Sequence, residues 1–228
     1  MRTGITILKL SCPPLCNFAS QYMAMSKRIL FNILFFAALV VAFYFIMTRL
    51  IPNFGGKDLP TLSYVQPFRF TNQEGQAITN KDMAGKVCVV EYFFTTCKGI
   101  CPKLNANMQQ VYQQFKNEPD FRILSHTVDP ETDSVPRMKA YAESLGADAH
   151  NWWFLTGSKD SLYTAARSSY LLDDPRNNAG AIDEQFLHTQ FFALVDRKGN
   201  VRKIYDGLKK EELEELKADI GRLLKQKG

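Results

Sequence analysis

Acidic residues are missing from the first fifty positions. Arg2, Lys9, Lys27, Arg28 and Arg49 stand there without one Asp or Glu, and they account for the whole formal charge of +5. Over the rest of the chain, Lys and Arg match the 23 Asp and Glu one for one. No basic stripe is left to follow a phosphate backbone, so a nucleic-acid partner is excluded. Histidine is scarce, with three in 228 residues, which leaves few imidazoles for any metal or acid–base site. Internal repeats and low-complexity blocks are absent, and the length suits one domain with accessory segments.

The charge excess flanks an apolar run, Ile29–Met47, in which Asn32 is the only strongly polar residue. Nineteen residues at about 1.5 Å each span roughly 28 Å, close to a bilayer core. Lys27 and Arg28 on its N-terminal side predict a cytoplasmic N-terminus, with everything after Arg49 across the membrane. An A-x-A cleavage site is lacking at its end, which favours an uncleaved anchor over a signal peptide. The expected organisation is a cytoplasmic segment over 1–28, an anchor over 29–47, a linker over 48–61 and a folded domain over 62–228. Met25-Ser26-Lys27-Arg28 also makes an ordinary start to an anchor, so 1–24 reads as a tail or a misassigned start. Cys12 and Cys16 in that tail lack a strand leading into them and carry two prolines between them.

Past the linker, Val87–Pro102 reads VCVVEYFFTTCKGICP. Its first half is β-branched and aromatic, the pattern of a strand buried on both faces. It ends in Cys97 and Cys101, and Pro102 suits the first turn of a helix. Two thiols therefore sit at a strand-to-helix turn, where the helix N-terminus favours thiolate, and Lys98 adds positive charge. On a helical turn the two would share one face.

Phe68–Ile78 alternates and turns at Asn72–Gly75, a hairpin. Helices are expected over 102–116, 134–145, from Ser158 to about Leu171 and over 209–225. Strands are expected over 121–128 and 152–155, with a closing hairpin of 189–196 and 201–205 around Arg197–Asn200. Residues 173–183 read as an exposed loop. Strands alternating with helices imply an α/β fold with parallel members, and the dithiol at the end of the first central strand matches a thioredoxin-like mixed sheet flanked by helices.

In such a fold the turn before the late hairpin packs beside the dithiol corner, so His188 can complete a two-sulfur, one-nitrogen donor set. Thiolates with imidazole suit copper better than magnesium, calcium or manganese, and zinc also fits. The same two cysteines can instead close as a reversible disulfide. Cys88, inside the strand, reads as core filler. His126 reads as a strand residue that packs or hydrogen-bonds, and His150 as a surface residue. Asp129, in the acidic turn 129–133, is the better candidate for supporting the site from behind, and Asp133 for a helix N-cap. Trp152, Trp153, Phe93 and Phe94 read as core or as an apolar wall around the thiols.

FFTTCKGICP (Phe93–Pro102), VDPETD (Val128–Asp133) and the isolated His188 together resemble the Sco/SenC family of membrane-anchored copper chaperones, over roughly Leu62–Leu224. The resemblance implies a copper ion held by Cys97, Cys101 and His188. It also implies assembly of the binuclear copper centre of cytochrome c oxidase subunit II, directly or with other assembly factors. Delivery of copper, reduction of that subunit's cysteines, or both, would serve. The expected location is the inner membrane, single-pass, with the domain on the periplasmic side. Lys98 departs from the proline or acidic residue of many relatives. His126 is not part of the family's ligand set, and the Cys12/Cys16 pair lies outside the resemblance.

The alternative is a membrane-tethered thiol-disulfide oxidoreductase without an essential metal. The Cys-x3-Cys spacing counts against it, because dedicated oxidoreductases of this fold typically use Cys-x2-Cys. A peroxidase reading is weaker, since Phe94 stands where a threonine is expected.

Overall fold

A computed structural model describes residues 27–50, 59–174, 176, 181–182, 185–187 and 189–226. Cys12 and Cys16 lie outside them. The chain divides into two compact units, Met1–Asp58 and Leu59–Gly228. In the first, α1 runs Lys27–Leu50. Its Lys27–Met47 stretch has a mean hydropathy of 2.7 and none of it is buried against protein. Free of Gly and Pro over 29–47, it is long and apolar enough to cross a membrane.

The second unit is built on one eight-stranded mixed sheet. Its strands are β1 (Ser63–Tyr64), β2 (Arg69–Asn72), β3 (Ala77–Thr79), β4 (Val87–Phe93), β5 (Phe121–Thr127), β6 (Trp152–Thr156), β7 (Phe191–Val195) and β8 (Asn200–Asp206). Their order across the sheet is β1-β8-β7-β4-β5-β6-β2-β3. The β4–β5 and β5–β6 pairs are parallel, and β7 joins β4 antiparallel. The helices are α2 (Cys101–Phe115), α3 (Val135–Ser144), α4 (Lys159–Thr164) and α5 (Lys210–Lys225). This is the thioredoxin-like arrangement expected from the sequence.

All seven residues of β4 are buried, as its unbroken apolar character requires of a central strand covered on both faces. The pleat sends Val87, Val89 and Phe93 into one core cluster with Leu104, Met108, Val111 and Phe115 of α2 and the apolar stripe of α5. Cys88, Val90 and Tyr92 enter the opposite cluster, with Leu162 and Tyr163 of α4.

Two local departures have physical causes. The helix expected from Ser158 to about Leu171 is α-helical only to Thr164. It widens to a π-turn over Ala165–Ser169 and stops at Leu171, which takes a φ of 56°. The first two strand residues of the domain, Ser63 and Tyr64, pair with Val201 and Asn200 at the sheet edge. Two residues are too few to show an alternating pattern.

Candidate metal and redox site

The two cysteines reach one place by different routes. Cys101 is the first residue of α2, with Pro102 behind it in the first turn and Ile100 as the N-cap. Cys97 lies outside the helix, in a turn closed by its N–H donating to the Phe94 carbonyl at 3.2 Å. The expectation that both share one helical face is corrected: the spacing straddles a loop-to-helix boundary. Both sulfurs are free, and the Cys101 thiol hydrogen-bonds to the Cys97 sulfur. Cys101 is buried and Cys97 half-buried, so only one of the pair meets solvent readily.

Burial is the largest influence on Cys101 and pushes its thiol up to about 12, with the hydrogen bond to Cys97 and the Cys97 charge adding to it. The Phe94 N–H aimed at the sulfur works in the opposite direction. Proximity to a helix N-terminus therefore does not make Cys101 a ready thiolate; desolvation outweighs it. Its proton must leave when a metal or an electrophile arrives.

The thiols open onto a cavity of about 310 Å³ whose walls include Phe94, Ile100, Val128 and Leu187. Phe94, half-buried and edge-on to Phe186 at 5.1 Å, forms the apolar wall expected of it, while Phe93, Trp152 and Trp153 belong to the core.

Asp133, fully buried, holds the loop that carries Cys97. Its carboxylate accepts from the Thr95 N–H at 3.2 and 3.3 Å, from the Thr95 hydroxyl at 2.5 Å and from the Thr127 hydroxyl at 2.5 Å. Arg137 Nε donates to the Thr95 hydroxyl at 2.7 Å from outside. The N-cap of α3 is Ser134, so Asp133 is corrected from cap to loop anchor. Asp129 closes its own acidic turn, accepting from the Thr132 N–H at 3.3 Å.

His188 lies outside the described residues. Among the described residues, no group of three or more His, Cys, Asp and Glu side chains is gathered as a metal cluster. His126 is wholly buried, edge-on to Phe70 at 5.3 Å and stacked on Tyr92 at 5.1 Å, and burial takes it down to about 3. It belongs to the opposite core, as a packed neutral ring. His150 is exposed, and Cys88 is buried with its thiol pushed up to about 12 by desolvation.

The sequence reading passed over Glu91. This carboxyl is 2% exposed within β4, and burial raises it from 4.5 to about 8. The available signal was a lone charge inside an apolar run.

The SCO1/SenC family model matches residues 57–225, about three quarters of the sequence. The chain belongs to the SCO1/SenC family. A SCO1 protein homolog of Bacillus subtilis (strain 168) is 32% identical over 172 residues, covering 73% of this chain and 86% of that protein. Among solved structures, BsSco is described as a member of the Sco family of cytochrome c oxidase assembly proteins with a disulfide switch. It is 30% identical with a TM-score of 0.63, over 75% of this chain and all 100% of that one. ScoI of Bradyrhizobium japonicum, solved with copper bound, is 27% identical with a TM-score of 0.56, over 71% of this chain and 99% of that one. For this family member the dithiol at the end of β4 is the site in question. Its two soft, uncrosslinked sulfurs, hydrogen-bonded to each other at a cavity, have the donor chemistry that copper takes.

Proposed function

We propose that this SCO1/SenC protein is a membrane-anchored copper chaperone assisting assembly of the binuclear copper centre of cytochrome c oxidase. Copper would be held by the Cys97 and Cys101 sulfurs and by the His188 imidazole, with His188 carried by the sequence motif. The supporting observation is the pair of free sulfurs in hydrogen-bond contact beside a cavity. That arrangement lets one soft ion bridge them with little movement of α2. The copper in ScoI of B. japonicum supports the choice of metal. The apolar helix Lys27–Leu50 with its N-terminal Lys27 and Arg28 supports a single-pass inner-membrane anchor and a domain on the far side from the cytoplasm. Asp129 and Asp133 support the loop and turn around the site; neither is assigned as a ligand.

Loss of two thiol protons as copper(I) binds leaves a compact, soft donor set. The same pair closing to a disulfide releases two electrons and two protons. The second reading, a thiol-disulfide oxidoreductase acting on the oxidase subunit's cysteines, is favoured by that sulfur–sulfur contact and by the disulfide switch of BsSco. The full chain in detergent, reduced and titrated with copper(I), separates the two after desalting. Wild type should retain about one copper per chain and His188→Ala markedly less. Zero retention by wild type, or equal affinity in the variant, overturns the chaperone reading. Disulfide-reducing activity that survives His188→Ala would support the oxidoreductase.

A further inference from the structure

Glu91 is an ionisable side chain in a strand where its neighbours are packed into two apolar cores. The pleat puts it with Val89 and Phe93 on the α2 side of β4. Its Oε1 accepts the Ser125 hydroxyl at 2.6 Å, and the Ser125 oxygen in turn accepts the Trp152 indole N–H at 2.8 Å. The carboxyl is thus fixed by β5 and β6 rather than by either sulfur.

Its charge reaches the site all the same. An ionised Glu91 opposes ionisation of both Cys101 and Tyr141, and the Tyr141 hydroxyl is likewise opposed by charge on Cys97 and Cys101. Facing Glu91 are Cys101 at the start of α2, Cys97 on the loop and Tyr141 on α3. Asn105 of α2 donates to the Tyr141 hydroxyl. β7 contributes the apolar Phe192. Burial raises the carboxyl, and the Ser125 hydroxyl offsets only part of that rise.

We propose that Glu91 is the internal acid of the dithiol site, a positioning residue that sets how much negative charge the Cys97–Cys101 pair can hold by keeping or releasing one proton. This rests on the reading of the pair as a thiolate donor set. A monovalent soft cation displaces two thiol protons to solvent and leaves a bis-thiolate complex with one net negative charge. A protonated Glu91 adds nothing to that charge, whereas an ionised one adds a second buried negative charge beside it. By linkage, metal binding raises the proton affinity of Glu91, and loss of the Glu91 proton weakens metal binding by the same factor.

The test uses the full chain in detergent, reduced, with silver(I) as a redox-silent probe competed against a soluble chelator. Wild type, Glu91→Gln and Ser125→Ala are compared from about pH 6 to about pH 9.5. Wild type and Glu91→Gln should keep a constant affinity ratio at the acid end. By the alkaline end wild type should lose about tenfold relative to Glu91→Gln, the reciprocal of a one-unit rise in the carboxyl's midpoint on binding. In Ser125→Ala the break should move to higher pH, because the hydroxyl bond favours the ionised form. Infrared spectra give a readout independent of affinity. A protonated-carboxyl band should be present in wild type at about pH 7, absent in Glu91→Gln, and should titrate at higher pH with silver bound.

Parallel affinity profiles for folded wild type and Glu91→Gln, or no such band, overturn the proposal. If wild type retains neither silver nor copper, the chaperone reading falls by itself. Glu91 is then judged on the pair's equilibrium with a dithiol buffer. Wild type must shift toward the disulfide relative to Glu91→Gln above about pH 8, and coincident curves overturn the proposal.

Discussion

Cys97 depends on a residue it does not touch. The loop that presents it is held by one buried carboxylate, and Asp133 collects one backbone N–H and two hydroxyls there. A buried acceptor that loses its fit exposes every donor that was aimed at it. Asp133→Asn turns one oxygen into a donor facing hydroxyls already committed as donors. It should cost about 1–3 kcal/mol, read from thermal unfolding of the full chain in detergent. Alkylation of Cys97 in the folded variant should also speed up, because the turn that shields it loosens. An unchanged unfolding transition with unchanged alkylation would show that the Thr95 turn holds without it.

At the scale of elements, the site depends on how closely α2 sits on the sheet. Gly207, between β8 and α5, lies where that approach is tightest. A Cβ there would stand 2.7 Å from the Phe192 ring of β7 and 2.8 Å from Leu104 of α2. The Gly207 carbonyl also accepts from Asn107 of α2 at 2.7 Å. Neither close atom belongs to a long flexible chain, so Gly207→Ala must push α2 or β7 outward. Overpacking of this kind costs about 1–3 kcal/mol. Leu104 is only one helical turn from Cys101, so the strain should be felt at the thiols too. The expected outcome is a lower melting temperature together with weaker copper retention; a change in neither would mean the junction has slack.

Across the whole molecule, two buried groups on opposite faces of the sheet shape the response to pH in opposite senses. His126 falls from 6.5 to about 3 in the folded protein, so the unfolded chain takes up its proton first. Stability from this group is present above about pH 6.5 and is lost as pH falls toward 3. Glu91 rises from 4.5 to about 8, so the unfolded chain releases its proton first, and stability is lost as pH rises through that window. Where the windows overlap, between 4.5 and 6.5, the two slopes offset one another. The predicted curve is a plateau there with a fall on each side. His126→Phe, an aromatic replacement within a ring cluster, should flatten the acid fall, and Glu91→Gln the alkaline one. Thermal unfolding across about pH 4 to 9 tests both, and a wild-type curve that climbs steadily through neutrality would contradict the assignment.

Local patterning was enough for much of this protein. An apolar run free of Gly and Pro makes a helix in any surroundings, and α1 follows from it. A β-branched run ending in Cys-x3-Cys-Pro makes a strand, a corner and a helix start, because pleat, proline geometry and burial all act within a few residues. The motif also pointed to the family before any fold was seen. Tertiary structure alone decided what lay between distant segments. Asp133 anchors a loop 38 residues earlier in the chain, a pairing that no local spacing encodes. The Cys101 thiol is raised by burial that only the packed domain creates, which reversed the expectation drawn from its helix end. Glu91 was visible as a charge in the wrong place, yet its bearing on the thiols comes from β4 lying under α2. Sequence assigned each residue its chemistry and its local shape; burial and proximity, which set how strongly charges act on one another, came from the fold.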